Sequence, residues 1–276
     1  MSAIRRRNGI ILRVILAAAS VAAIITGGII GESYGTRATA ISHTASAVQS
    51  AADRTASAIA TERVMTIGGS IAKGWMDTGW QNWRKGWHGG YLTRAFATLS
   101  KNTKTHYTIY DRTIVGANAR QLATMYAGRY PHWLQSVRPQ IVVISWGGLN
   151  DALPKTPIGI YRRDIKAEIL QALAVHAVVF IVTPPVTEAG LVTYRVAEPY
   201  YLNNEMSVAR SLHSPNVYTF SVFNQMKAYL AAHHLTYKPF MATTWHPNAR
   251  GHKLAGEILF QDLSRRFGSQ PIHFVQ

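Results

Sequence analysis

The sequence contains no cysteine, which excludes disulfide bonds and thiolate metal sites. It is also poor in acidic residues: 13 Asp and Glu stand against 29 Lys and Arg, giving a formal net charge of +16. The basic residues form no run of five or six and no zinc-finger or RNA-binding pattern, so we expect no nucleic-acid partner. A positive charge of this kind favours association with an anionic cell surface or polysaccharide.

One long apolar run is present, at residues 10–30, and Arg5, Arg6 and Arg7 precede it. Roughly twenty apolar residues can cross a bilayer, and Arg13 lies near enough to one end to reach the interface. Because a basic flank stays in the cytoplasm, residues 1–31 predict a membrane anchor with the rest of the chain outside the cell. A cleaved signal peptide is the alternative, since residues 38–40 read Ala-Thr-Ala. Under both interpretations the later part of the chain is exported.

The remaining chain divides in two by composition. Residues 32–62 are rich in Ala, Ser and Thr and predict a stalk. Residues 63–276 alternate short apolar runs with helix-length segments, which predicts a single α/β domain: a flavodoxin-like three-layer αβα sandwich with a mostly parallel five-stranded sheet.

The predicted strands are 64–67, 107–110, 141–145, 178–182 and 217–220. The third and fourth are continuously apolar, as expected of strands that are covered on both faces. The predicted helices are 90–99, 118–127, 160–175, 201–212, 223–233 and 248–267.

Two side chains suggest nucleophilic chemistry. Ser70 follows the first predicted strand and the small pair Gly68 and Gly69, a turn that would place its hydroxyl at the carboxyl edge of the sheet. His246 directly precedes the last predicted helix and could supply a base there. Taken alone, Ser70 is also a typical helix cap, and a histidine is more often a surface or packing residue.

Gly116 and Asn150 are candidates for stabilising negative charge at the same edge. Gly116 follows the second strand and is small enough for its N–H to approach a substrate oxygen. Asn150 follows a buried strand and the pair Gly147-Gly148, so its amide could extend over the edge as a donor. Each of them could equally be an ordinary turn residue.

Four short blocks in a fixed order make the chain resemble the SGNH hydrolase superfamily, the GDSL-type esterases and lipases. They are Gly-Gly-Ser at 68–70, Gly116, Gly-Leu-Asn-Asp at 148–151, and Thr-Thr-Trp-His-Pro at 243–247. Two positions depart from the family pattern. Gly69 replaces the acidic residue before the serine, and Thr243 replaces the carboxylate that normally orients the histidine. Thr243 is therefore one candidate for that role, and a backbone carbonyl group or another acidic residue is the alternative.

The resemblance implies a serine esterase that needs no metal ion and no cofactor. Ser70 would attack an acyl ester with His246 as base, and the oxyanion would be held by the Ser70 N–H, the Gly116 N–H and the Asn150 side chain. We expect a short acyl group, such as an O-acetyl group on a carbohydrate. Two alternatives stay open: a polysaccharide O-acyltransferase, and a non-catalytic surface-binding domain that kept the fold.

Aromatic residues surround these blocks. Trp75, Trp146 and Trp245 are candidate substrate contacts, although core packing explains the last two equally well. Further tryptophans at positions 80, 83 and 87, with several glycines between them, favour either a sugar-binding surface, a lid or a buried helical face.

Overall fold

The computed structural model describes residues 59–76 and 89–276. The five strands are β1 Ala60–Gly68, β2 Thr105–Asp111, β3 Ile141–Ser145, β4 Val178–Val182 and β5 Val217–Phe220. The helices of these residues are α1 Ser70–Lys73, α2 Tyr91–Asn102, α3 Ala119–Ala123, α4 Arg129–Val137, α5 Leu149–Ala152, α6 Ile158–Ala174, α7 Glu188–Leu191, α8 Ala197–Ser211, α9 Val222–Ala232 and α10 Ala249–Phe267. A 3₁₀ turn covers Lys238–Phe240.

The five strands form one all-parallel sheet in the order β2-β1-β3-β4-β5. This confirms the predicted α/β fold with a five-stranded parallel sheet. The order reverses at β1, which has β2 on one side and β3 on the other. Ligand sites of open α/β sheets lie at such a switch point, beyond the carboxyl ends of the strands. Here those ends are Gly68 and Ser145, which are register partners.

Alternate strand residues enter two separate cores, which makes the architecture three-layered. Val143 and Phe180 face the core that is covered by α2, α9 and α10. Val142 and Ile181 face the core that is covered by α3, α4, α6 and α8. Because both faces are covered, β3 and β4 are buried along their whole length, as their unbroken apolar sequences predict.

The bounds of several elements differ from the sequence prediction, and two of these differences change how the chain is divided. The strand β1 begins at Ala60, so the last three residues of the predicted stalk pair with β2. The predicted helix 118–127 is correct only in its first half: α3 ends at Ala123, and a separate helix, α4, follows Gly128. Pro131 lies in the first turn of α4, where its missing N–H leaves no hydrogen bond unmade.

The predicted anchor 1–31, the stalk up to residue 58 and the tryptophans at 80, 83 and 87 lie outside the described residues. Within residues 59–76 and 89–276, no helix combines the length and apolar composition that a membrane crossing requires.

Candidate functional site

Ser70 is the first residue of α1, immediately beyond the carboxyl end of β1. Two glycines make this position possible. Gly68 has φ +152°, and a Cβ there would lie 2.0 Å from the carbonyl oxygen of Ser145. A Cβ on Gly69 would lie 3.3 Å from Asn150 Nδ2, so the turn packs closely against both β3 and the third sequence block. Because Gly68 and Gly69 have no side chains, the turn can bring Ser70 close to Asn150.

His246 meets Ser70 across 176 positions of sequence. Ser70 Oγ and His246 Nε2 are 2.9 Å apart. The histidine lies on a short loop that is closed by a bridge between Met241 and Pro247 and by Asn248, whose side chain accepts the N–H groups of Arg250 and Gly251 at the start of α10. When the serine hydroxyl donates to Nε2, the ring carries its hydrogen on Nδ1, which is the tautomer a general base requires.

Thr243 lies on the other side of the imidazole, but its contact with the ring is long. Its Oγ1 is 3.4 Å from His246 Nδ1, and it also accepts the backbone N–H groups of Trp245 and His246 at 3.2 Å. A hydroxyl oxygen has two lone pairs, and both have backbone donors here. The main contribution of Thr243 is therefore to shape the turn that carries the histidine.

The other two predicted oxyanion donors, Gly116 and Asn150, lie at the same edge as Ser70. Gly116 has φ +76°, and nothing lies within 4 Å of where its Cβ would be. Asn150 Nδ2 donates to the Ala117 carbonyl oxygen at 2.9 Å, and Asn118 Nδ2 donates to the Asn150 carbonyl oxygen at 3.0 Å. These reciprocal bonds hold the second and third blocks together and fix the Asn150 amide. Only one of the two N–H groups of that amide donates to Ala117.

These groups surround a pocket of about 250 Å³. Ser70, Gly116, Asn150 and His246 all line it, so the structure brings together the four polar groups that the sequence predicts. The remaining lining residues are Gly69, Ile71, Ala72, Val115, Ser145, Trp146, Gly147, Leu149, Leu153 and Trp245.

The three predicted tryptophans have different surroundings. Trp146 lines the pocket but is only 2% exposed, and its Nε1 donates to Glu168 Oε2 at 2.7 Å. Trp245 is 38% exposed at the pocket mouth, with its ring 5.7 Å from that of Tyr194. Trp75 is absent from the lining; its carbonyl oxygen accepts from Nε2 of His252 at 3.4 Å.

His252 is a second histidine near the site, and its contacts are those of a residue that stabilises the fold. It is fully buried on α10, and its Nδ1 accepts the Tyr91 N–H at 3.3 Å. Burial lowers its pKa to about 4, so the ring stays neutral at neutral pH.

Sequence reasoning missed a group of buried carboxyl groups, which we call the acid cluster. It lies on the face of the sheet that is covered by α3, α4, α6 and α8. Its members are Asp151, Asp164, Glu168, Glu198 and Glu205. Burial raises the pKa of Asp151 to about 7 and that of Glu205 to about 8. Burial also raises the pKa of Glu168 and Glu198 well above the usual range. The sequence of α6 did contain a sign of this cluster. Two of its acidic residues lie at the helical spacing of the buried apolar face, which also carries Tyr161 and Ile165.

In the described part of the chain, no three His, Asp or Glu side chains cluster in a way that could hold a metal ion. The four polar groups of the pocket are a hydroxyl, an imidazole, an amide and a backbone N–H. This set matches the requirements of acyl transfer through a serine nucleophile.

Comparison with known proteins agrees with this chemistry. Residues 66–254 match the model of the GDSL-like lipase/acylhydrolase family. None of the curated proteins matches the sequence significantly.

The similar solved structures include three bacterial proteins of related description. A psychrotrophic esterase from Pseudoalteromonas sp. has 12% identity and a TM-score of 0.54, covering 74% of this chain and 98% of its own. A catalytic mutant of an acetylxylan esterase from Geobacillus stearothermophilus has 16% identity and a TM-score of 0.56, covering 78% and 96%. A lipase/acylhydrolase from Enterococcus faecalis has 16% identity and a TM-score of 0.51, covering 76% and 100%.

Identities this low establish the shared fold, whereas the family match extends over more than half of the chain and includes all four blocks up to His246. The resemblance seen in the sequence is thereby confirmed: the chain belongs to the GDSL-like lipase/acylhydrolase family and is an SGNH-type serine hydrolase.

Proposed function

We propose that this chain is a membrane-anchored, extracytoplasmic serine esterase that removes short acyl groups from carbohydrate esters. The observation that carries the catalytic part is the 2.9 Å contact between Ser70 Oγ and His246 Nε2 inside a pocket that also holds Asn150. A non-catalytic domain would have no need to keep this pair hydrogen-bonded at the switch point of the sheet.

The reaction proceeds through an acyl-enzyme. His246 Nε2 takes the proton from Ser70 Oγ as the oxygen attacks the ester carbonyl carbon. The Ser70 N–H, the Gly116 N–H and the Asn150 amide stabilise the oxyanion of the tetrahedral intermediate. His246 then gives the proton to the leaving alcohol oxygen. Water, activated by the same imidazole, releases the acid and restores Ser70.

The surroundings of His246 support a carbohydrate alcohol. The leaving alcohol must lie on the His246 side of the pocket, because this residue protonates it. Trp245 adjoins His246 there, is 38% exposed and is in contact with Tyr194. The Trp245 ring offers a flat apolar surface with a polar edge beside the leaving group, which suits a sugar ring, and Tyr194 packs against it at an interplanar angle of 48°.

The location is proposed from the sequence. The apolar run at 10–30 with its preceding arginines favours an anchor, and the net charge of +16 favours an anionic envelope. If the full chain is expressed in a bacterium, it should sediment with membranes and be released by detergent. Protease added to spheroplasts should digest the domain. A chain that stays in the cytosolic fraction would contradict the anchor without affecting the catalytic proposal.

The catalytic test uses the full chain in detergent with p-nitrophenyl butyrate as substrate. We expect Ser70→Ala and His246→Ala each to lower kcat/KM by about 10⁴ or more, since the two groups act as one unit. Ser136→Ala and His132→Ala are matched controls, because both residues are exposed on α4 and neither lines the pocket. Turnover that survives in Ser70→Ala would overturn the mechanism.

A further inference from the structure

Among the residues that the structure describes, no formally charged side chain lines the catalytic pocket, although the chain is strongly basic. Of its fourteen lining residues, all from the described part of the chain, none is Lys, Arg, Asp or Glu. The inner wall is apolar: Ile71, Ala72 and Leu149 are buried beside Ser70 and Asn150. A charged acyl group would lose its hydration here without gaining a partner, so the pocket suits a neutral apolar group.

The rim of the pocket is also apolar. Val115 is 45% exposed, Leu153 60% and Trp245 38%, and all three line the same mouth. Single exposed apolar side chains are ordinary on protein surfaces. Three large ones that line one catalytic pocket are more unusual, and apolar side chains grouped at one cavity are typical of a binding site.

The chemistry divides this rim into two sides. Trp245 adjoins His246, which protonates the leaving alcohol, and therefore belongs to the alcohol side. Val115 precedes Gly116, and Leu153 follows Asn150 by three residues, so both adjoin the groups that hold the carbonyl oxygen. The acyl chain leaves the carbonyl carbon away from the alcohol, which directs it toward Val115 and Leu153.

We propose that Val115 and Leu153 form an acyl-chain subsite that makes the enzyme favour acyl groups of about four to six carbons over acetyl, since each buried methylene adds binding free energy. The inference rests on the proposed function and narrows its acyl group. An acetyl group has three non-hydrogen atoms and can bury less apolar surface against these residues than a longer chain can. Longer chains would cover the exposed rim residues and remove apolar surface from water.

The test is a chain-length profile of the full-length protein in detergent, using p-nitrophenyl acetate, butyrate, hexanoate and octanoate. The wild-type kcat/KM is expected to rise from acetate to hexanoate by up to about fourfold for each methylene that is buried. Leu153→Gln and Val115→Thr keep the side-chain size and add a polar group. Each should lower the hexanoate-to-acetate ratio by about fivefold.

Leu235→Gln is the matched control, because this leucine is 38% exposed but lies outside the pocket lining, and it should keep the wild-type ratio. Melting temperatures equal to that of the wild type confirm that the variants fold, and the two rim variants test the subsite independently. The subsite is wrong if Ser70-dependent activity is highest on acetate, or if both rim variants keep the wild-type ratio. Activity that does not depend on Ser70 overturns the proposed function instead.

Discussion

The two faces of the sheet bury different chemistry, although the strands between them are equally apolar. The face covered by α2, α9 and α10 is filled by aliphatic and aromatic side chains, with the neutral His252 among them. The face covered by α3, α4, α6 and α8 also contains the acid cluster, in which Tyr161 donates to Glu205 Oε2 at 2.6 Å. The apolar face is stabilised mainly by packing, whereas the other face depends on keeping protonated the four carboxyl groups whose pKa is raised by burial. The fifth member of the acid cluster, Asp164, pairs with Arg120 and Arg163 instead.

The catalytic groups come from both faces. His246 precedes α10 on the apolar face, while Asn150 lies on α5, directly before Asp151 of the acid cluster. Gly148 allows the start of α5 to lie close against α8, since a Cβ at this position would be 3.2 Å from Tyr201 Cβ. The base and one oxyanion donor therefore depend on surroundings that respond differently to mutation and to pH.

The largest expected effects separate the two catalytic contributions. His246→Ala removes the base and should lower kcat/KM by about 10⁴ or more, whereas Asn150→Ala removes one of three oxyanion donors and should cost about 10²- to 10³-fold. Steady-state kinetics on p-nitrophenyl butyrate measure both. Equal losses in the two variants would mean that Asn150 mainly holds the loops together. A melting temperature well below that of the wild type would show the same.

The next comparison concerns stability. Leu259 is fully buried on α10, and Leu259→Ala should lower the free energy of unfolding by about 2–5 kcal/mol through a cavity in the apolar core. Glu205→Gln keeps the shape of a protonated carboxyl group and should change the free energy of unfolding by about 1 kcal/mol or less at pH 7. Urea unfolding gives both values. A loss in Glu205→Gln as large as that in Leu259→Ala would show that the carboxylate form is required.

The third prediction is a pH dependence of opposite sign on the two faces. The folded pKa values of Asp151, about 7, and Glu205, about 8, lie above their usual values of 3.8 and 4.5. Between the usual and the folded value the native state binds more protons than the unfolded one. The free energy of unfolding should therefore fall as pH rises from about 4 to 8, by about 1 kcal/mol per pH unit for each group that responds.

His252 acts in the opposite sense. Its folded pKa of about 4 lies below the usual 6.5, so its contribution is lost as pH falls through that window. Urea unfolding between pH 5 and 9 tests both slopes, with Glu205→Gln expected to flatten the alkaline side. Parallel curves for the variant and the wild type would contradict the role assigned to Glu205.

The smallest expected effect places a charge beside the histidine. Thr243→Asp can still accept the N–H groups of Trp245 and His246, and its carboxylate would favour the imidazolium that forms during catalysis, raising kcat/KM by up to about tenfold. Thr243→Ala should lower it several-fold because the turn loses its acceptor. Thr244→Asp adds the same charge on an exposed neighbouring residue and serves as control. A gain shared by both Asp variants would indicate a general field effect.

Local sequence patterns predicted much of this molecule. The bounds of β3, β4 and β5 agree with the prediction. For β3 and β4 the reason is that continuous apolar runs bounded by turns have few alternatives. The helix α4 was not predicted. Gly and Pro, here Gly128 and Pro131, are typical of turns, whereas tertiary packing of Tyr130 and Leu134 stabilises a helix there.

The sequence predicted which residues form the site, but not how they contact one another. The blocks named Ser70, Gly116, Asn150 and His246, and parallel topology brings strand ends to one edge. The sequence held no local sign that Thr243 Oγ1 is occupied by two backbone N–H groups, or that Val115 and Leu153 share one rim. Such contacts join distant segments and depend on the folded geometry.

The central claim is that Ser70 is a nucleophile activated by His246. Treating the full-length protein with a fluorophosphonate tests it most directly, because an activated serine oxygen forms a bond to phosphorus and displaces fluoride. Mass spectrometry of the digested protein should find one adduct, on the peptide that contains Ser70, and it should be lost in Ser70→Ala and strongly slowed in His246→Ala. Labelling at another residue, or an unlabelled Ser70 in a protein that still hydrolyses esters, would contradict the account.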